Sequence, residues 1–256
     1  MALLEIRGLV KHFGGLAAIN GVDLDVNHGE ILGLIGPNGA GKTTMFNLIT
    51  GTFRPSSGSI VFKEENIVGL RPHQIAARGL VRTFQSTILF SETTVRKNVI
   101  TAFHMEANVS FWGSVFGGEA VNTRERNVIK KTDELLEFFD LTHVQDELAS
   151  ALPHGHQRRL GVAIALATSP KLILLDEPVT GMNPEETGEM MITIRKIRDS
   201  GITVLLVEHD MKAVMGMCDR IVVLDYGQKI AAGVPSEIKE NLTVIRAYLG
   251  ERRRAV

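Results

Sequence analysis

Residues 36–44 read GPNGAGKTT, which fits the pattern G-x-x-x-x-G-K-[ST]. The chemistry of that spacing is phosphate binding. Glycines at 36, 39 and 41 let the backbone curl until its N–H groups face an anion, and a helix beginning at the lysine adds its positive end. Lys42 is placed to reach β- and γ-phosphates, and the Thr43 hydroxyl to ligate Mg²⁺. The candidate nucleotide-binding residues are therefore Gly36, Asn38, Gly39, Ala40, Gly41, Lys42, Thr43 and Thr44. A second stretch, KLILLDEP at 171–178, is an apolar run that ends in two acids. Such a run suits a strand buried on both faces, with its acids at the carboxyl end, where α/β sheets hold their ligands. Asp176 can hold Mg²⁺ directly or through water, and Glu177 can polarise an attacking water as general base. Gln85 follows the strand-like VRTF and His209 follows ITVLLVE, so both polar side chains fall at strand ends. Taken singly they read as solvated loop residues; beside the phosphate loop they fit sensors of γ-phosphate or Mg²⁺.

These residues need a scaffold, and the hydrophobic patterning supplies one. Residues up to about 70 read as short strands (LLEIRGLV, VDLDVN, EILGLIG, SIVF) around one helix, KTTMFNLIT, that stops at Gly51. From about 90 to 166 the pattern is helical, with a loop or short helix, ANVSFWGSVFGGEA, around Trp112. From 171 strands and helices alternate again, closing on a hairpin-like pair, RIVVLDYG and QKIAAG. The expected class is an α/β core interrupted by a helical lobe, with a β-rich N-terminal part. No repeat or low-complexity stretch interrupts it.

Composition narrows the function classes. Lys and Arg number 28 against 29 Asp and Glu, a net charge of −1, so no global basic field invites nucleic acid. The run Arg252–Arg254 reads as a solvated tail, with a lipid contact as the alternative. The single cysteine, Cys218, fits a reducing compartment. The N-terminus shows no basic-then-apolar leader, and no aliphatic run approaches the roughly 20 residues that span a bilayer. A cytoplasmic chain is expected.

The order GPNGAGKTT, Gln85, the 152–160 segment LPHGHQRRL, LILLDE, TGMNP and EHD resembles the ATP-binding subunits of ABC transporters, from about residue 3 to 250. The resemblance implies a P-loop NTPase core with an antiparallel β subdomain and an inserted α-helical subdomain: one domain over 3–250, β-rich over 3–70, helical over about 90–166 and core over 171–235. A C-terminal helix and basic tail would follow over 236–256. It implies ATP and Mg²⁺ as cofactors, with Glu177, His209, Lys42 and Gln85 as catalytic residues and Thr43, Gln85 and Asp176 toward the metal. Phe13 would stack on adenine where the family more often has tyrosine; a buried core phenylalanine is the competing reading. It also implies a head-to-tail dimer with a second ABC ATPase, identical or not, two transmembrane permease subunits and an external solute-binding protein. The chain would then sit on the inner face of the membrane. KHFGGLAAINGVDLDV, EPVTGMNP and IRAYLGE resemble one of the two ATPases that power branched-chain amino-acid importers. A soluble ABC protein of DNA repair or translation, or a transporter of another solute, is the alternative.

One departure stands out. The family signature usually reads Leu-Ser-Gly-Gly-Gln, and here the matching residues are Leu152, Pro153, His154, Gly155 and His156. Pro153, His154, Gly155 and His156 are the expected contacts to a nucleotide held by the partner. Pro153 lacks the serine hydroxyl, a loss of about 1.5–3 kcal/mol if nothing replaces it. Either histidine can donate instead, more strongly when protonated, or both simply face solvent at a helix start. Asn183, where many relatives have aspartate, reads as normal for this subfamily. The apolar FWGSVF at 111–116 packs within the helical lobe or contributes to the membrane-subunit surface.

Overall fold

The computed structural model describes residues 2–83, 90–106 and 119–252. Gln85, the segment 111–116 and Arg253–Arg254 lie outside them.

Two sheets and a layer of helices enclose two apolar cores. The first sheet is antiparallel and joins β1 (Ala2–Phe13), β2 (Leu16–Asn27), β4 (Ser57–Phe62) and β5 (Glu65–Asn66) in the order β2-β1-β4-β5. The second contains β3 (Ile31–Ile35), β6 (Leu80–Arg82), β7 (Leu172–Asp176), β8 (Thr203–Val207), β9 (Arg220–Asp225) and β10 (Gln228–Gly233) in the order β10-β9-β3-β8-β7-β6. All its pairings are parallel except β9 with β10. The short N-terminal strands expected from the sequence are longer in fact: β1 and β2 span 12 residues each. Bulges bend them past their interior glycines, which hide the continuity from a pattern reading.

The central strands show why their sequences are unbroken runs of aliphatics. Leu172 and Leu174 enter the core shared with the first sheet, while Ile173 and Leu175 enter the core shared with the helices. Leu32 and Leu34 against Ile31 and Ile35, and Leu205 against Val204 and Leu206, divide the same way. With both faces covered, alternation of polar and apolar residues has no driving force.

Nine helices are described. Between β3 and β4 lies α1 (Lys42–Ile49), and α2 (Pro72–Ala76) precedes β6. The stretch from β6 to β7 holds α3 (Val95–Glu106), α4 (Glu119–Phe138) and α5 (His154–Ala167). Then come α6 (Pro184–Asp199), α7 (Met211–Met217), α8 (Pro235–Glu240) and α9 (Leu242–Arg252). Among the described residues no helix is long and apolar enough to cross a membrane. Cys218 is buried, which pushes its thiol pKa up to about 12 and leaves it an inert packing group.

Candidate functional site

The phosphate loop leaves the carboxyl end of β3 and enters α1. Two of its glycines have no tolerable substitute. A Cβ at Gly36 would lie 2.1 Å from the carbonyl oxygen of Leu224; at Gly41, where φ is +104°, it would lie 2.6 Å from that of Ala18. The loop is thus wedged between β9 and β2, and α1 begins at Gly41 without a side-chain cap on its first N–H groups. Lys42 is 6% exposed. Its Nζ donates to the carbonyls of Gly36 at 2.6 Å and Pro37 at 2.8 Å, which folds the ammonium back over the loop. Thr43 is exposed and Thr44 half-buried at the first turn.

β7 and β8 deliver the acid and the histidine, as their apolar runs predict. Glu177 follows the last residue of β7 and takes a left-handed φ of +51°, held by its N–H donating to Val207 at 2.9 Å. That conformation is uncommon for a residue with a Cβ and is found where a structure over-determines it. His209 lies two residues past β8, with its Nε2 2.9 Å from Oε1 of Glu177. The two polar ends therefore meet, although 32 residues separate them in the chain.

A cleft of about 690 Å³ collects these groups. Phe13, Asn38, Gly39, Ala40, Gly41, Lys42, Thr43, Thr44, Glu177 and His209 all line it, together with Leu16, Ala17, Ala18, Val207 and Tyr226. Gly36 does not line it. Phe13 is 43% exposed, so it is not the core residue the competing reading allowed. Its ring meets Phe53 edge-on at 5.3 Å, and Lys11 Nζ lies 5.0 Å from its centroid. This steadies an aromatic surface at the mouth.

Asp176 is placed differently from Glu177. It is 5% exposed, and its Oδ2 accepts from Arg82 at 2.5 Å. Arg82 also donates to Asn47 Oδ1 at 2.6 Å, and its guanidinium sits 5.4 Å from the Phe46 ring. The pair borders a second cavity of about 350 Å³, lined in part by Thr83, Phe90, Arg158 and Pro178. Neither Arg82 nor its pairing is legible in the sequence; the only signal is a charge within the apolar run LVRTF. Glu208 is the other residue missed. It is 1% exposed and accepts from the N–H groups of Val179 and His209, both at 2.9 Å. It ties the turn after β7 to the turn carrying His209, and burial raises its carboxyl pKa despite those bonds.

The oxygen donors fit Mg²⁺: a threonine hydroxyl on α1 and a single carboxylate at the end of β7 are the hard ligands this ion takes beside substrate phosphates. Among the described residues no cluster of three His, Cys, Asp or Glu forms a self-sufficient metal cage, which that ion does not need.

The segment 152–160 lies apart from the cleft. Pro153 is the N-cap of α5, with φ −54° and ψ 152°, and has no side-chain hydrogen bond to offer. Pro153 and His154 are exposed and Gly155 is buried. A Cβ at Gly155 would come 2.8 Å from Oε1 of Glu186, and one at Gly181 3.2 Å from the His154 ring. The signature thus rests on the turn before α6, where Asn183 caps the helix by accepting from the N–H groups of Glu185 and Glu186. His156 turns inward against His143, with ring centroids 5.2 Å apart. Burial first, then Arg159 and His143, lower its pKa. Strengthened donation by a protonated histidine therefore does not apply to His156, because its surroundings hold the imidazole neutral.

Fold and site together define the class: the chain belongs to the ABC transporter family, which residues 19–180 match. Residues 228–253 also match a family described as branched-chain amino acid ATP-binding cassette transporter. The chain is 44% identical, over 97% of its length and 98% of the relative's, to the high-affinity branched-chain amino acid transport ATP-binding protein BraF of Pseudomonas aeruginosa. It is 42% identical, with the same coverage, to the corresponding protein LivG of Escherichia coli strain K12. A crystal structure of the ADP conformation of an ATP-binding cassette of an ABC transporter superposes with a TM-score of 0.85 at 32% identity, covering 98% of this chain and 99% of that one.

Proposed function

We propose that this chain is the ATP-binding and ATP-hydrolysing subunit of an importer for branched-chain or other apolar amino acids. The observation that carries the enzymatic part is the convergence of Lys42, Glu177 and His209 in one cleft at the carboxyl edge of the parallel sheet. The 44% identity to BraF, and the match of residues 228–253, support the solute class.

In this reading ATP lies with its phosphates on the N–H groups of Gly39–Thr44 and its base toward Phe13. Lys42 swings from its carbonyls to the β- and γ-phosphates, exchanging two neutral acceptors for anionic ones. Glu177 accepts the proton of the attacking water, and His209 orients the Glu177 carboxylate and the γ-phosphate around it. Thr43 and Asp176 would hold Mg²⁺, with Gln85 as a further ligand or sensor, and the ion would supply neutralisation of phosphate charge. Gly155 and the start of α5, with Pro153 and His154, face the nucleotide of a second ATPase subunit, while His156 packs behind them against His143. The ATPase domain spans 3–250 and docks on two membrane-embedded permeases at the inner membrane face, with solute delivered by an external binding protein. The roughly balanced charge supports a protein and membrane-complex role over a nucleic-acid one.

The test is Glu177→Gln in the complex reconstituted with its permeases. ATP affinity should stay within a few-fold of the parent, while turnover falls about 10²–10⁴-fold. Turnover within threefold of the parent would remove Glu177 as the base.

A further inference from the structure

Tyr226 lines the cleft and has no part in the mechanism above. It is 72% exposed and sits at the turn between β9 and β10, where Asp225 pairs with Gln228. Tyr226 and Gly227 have φ of +43° and +75°. Positive φ at both central positions is the type I′ hairpin turn, whose first place favours Asn, Asp or Gly. A tyrosine there carries a Cβ into the left-handed region at a steric cost. Burial does not offset that cost, because the residue stays 72% exposed.

The turn is fixed in place on both sides. The Gly227 N–H donates to the Ala40 carbonyl at 3.0 Å, and its carbonyl accepts from the Asn20 N–H at 2.8 Å. A Cβ at Gly227 would lie 2.7 Å from the Ala18 carbonyl oxygen. The backbone beneath Tyr226 is therefore clamped to the phosphate loop and to β2. The same cleft holds Phe13, Leu16 and Ala18. An unfavourable backbone, an exposed aromatic ring and a rigid mount on the phosphate loop coincide at one residue.

We infer that Tyr226 is a second aromatic contact for the nucleoside end of the bound nucleotide, beside Phe13. This rests on the reading that the cleft binds ATP. The ring offers a flat apolar face to the base or ribose, and its hydroxyl brings to the cleft a donor and acceptor that Phe13 lacks. Stacking is indifferent to which purine is bound, so the contact adds affinity without selecting the base. The triphosphate is held independently, through Lys42 and the loop.

The experiment uses the full chain, titrated with Mg-ATP and separately with inorganic tripolyphosphate, alongside thermal unfolding without nucleotide. Tyr226→Asn suits the turn, so its unfolding temperature should equal or exceed the parent's. Its dissociation constant for ATP should rise about 3- to 20-fold, with tripolyphosphate affinity unchanged. Tyr226→Phe should keep most of the ATP affinity, since the ring supplies it. Unchanged ATP affinity in Tyr226→Asn, or equal losses for ATP and tripolyphosphate, would overturn the inference. Lys42→Ala separates the two levels: if it binds both ligands as the parent does, the nucleotide reading of the cleft has failed, whereas a loss there with unaltered Tyr226→Asn refutes only the tyrosine.

Discussion

The nucleotide cleft and the signature face are built on opposite principles. In and beside the cleft the chain satisfies itself: Lys42 is tied to two carbonyls and Glu177 to His209 within it, and Asp176 to Arg82 at the neighbouring cavity. At the signature, Pro153 and His154 are exposed, α5 starts without a side-chain cap, and the anchoring contacts lie behind it at Glu186 and Glu189. One half is preorganised within the chain. The other is a mounted surface, and in the proposed dimer it gains its ligand only when a second subunit brings one.

That contrast breaks most visibly at Arg82. Arg82→Ala leaves a carboxylate that is 5% exposed without its partner, and the expected loss is about 3–5 kcal/mol in urea unfolding. Adding Asp176→Asn should recover part of that loss, because the stranded charge is gone. A single variant as stable as the parent would mean Asp176 is already served without Arg82. On the other side, Pro153→Ser supplies an N-cap acceptor and should raise stability by about 1 kcal/mol. If the signature limits the reaction, ATP turnover in the assembled complex rises about tenfold as well. A stability gain with flat turnover would show that Pro153 costs the site nothing.

The smallest effect concerns His156. Its folded pKa lies below the ordinary value of 6.5, through burial and the charges of Arg159 and His143. Below about pH 6.5 the unfolded chain takes up a proton that the folded one refuses, so this contribution is fully present above that pH and is lost as pH falls toward the folded value. Melting temperatures from pH 7.5 down to 5.5 should therefore drop more for the parent than for His156→Gln. Parallel curves would mean that His156 titrates alike in both states.

Legibility followed the range of the interactions. The end of α1 near Gly51, the cap at Asn183 and the hairpin after Asp225 involve neighbours in sequence, and the residue types announce them. KLILLDE announces a strand covered on both faces, and with it the exit of Glu177 at the sheet's edge. The full length of β2 was harder, since Gly21 looks like an end when it is a bend within the strand. Phe13 could be read as core or as surface from sequence, because one aromatic beside two glycines satisfies either; its 43% exposure decides.

By itself the sequence determined the phosphate loop and the strand ends that carry Glu177 and His209, because each is written in residues adjacent in the chain, and the family, because such local motifs follow one another in a fixed order. The tertiary structure alone decided that Arg82 guards Asp176 across 94 residues, that Glu208 joins two turns, and that Tyr226 enters the cleft. It also turned His156 inward while leaving His154 out, which two histidines two residues apart do not reveal. Local backbone preference acts between neighbours. Burial and charge pairing act between surfaces that meet only after the chain has folded.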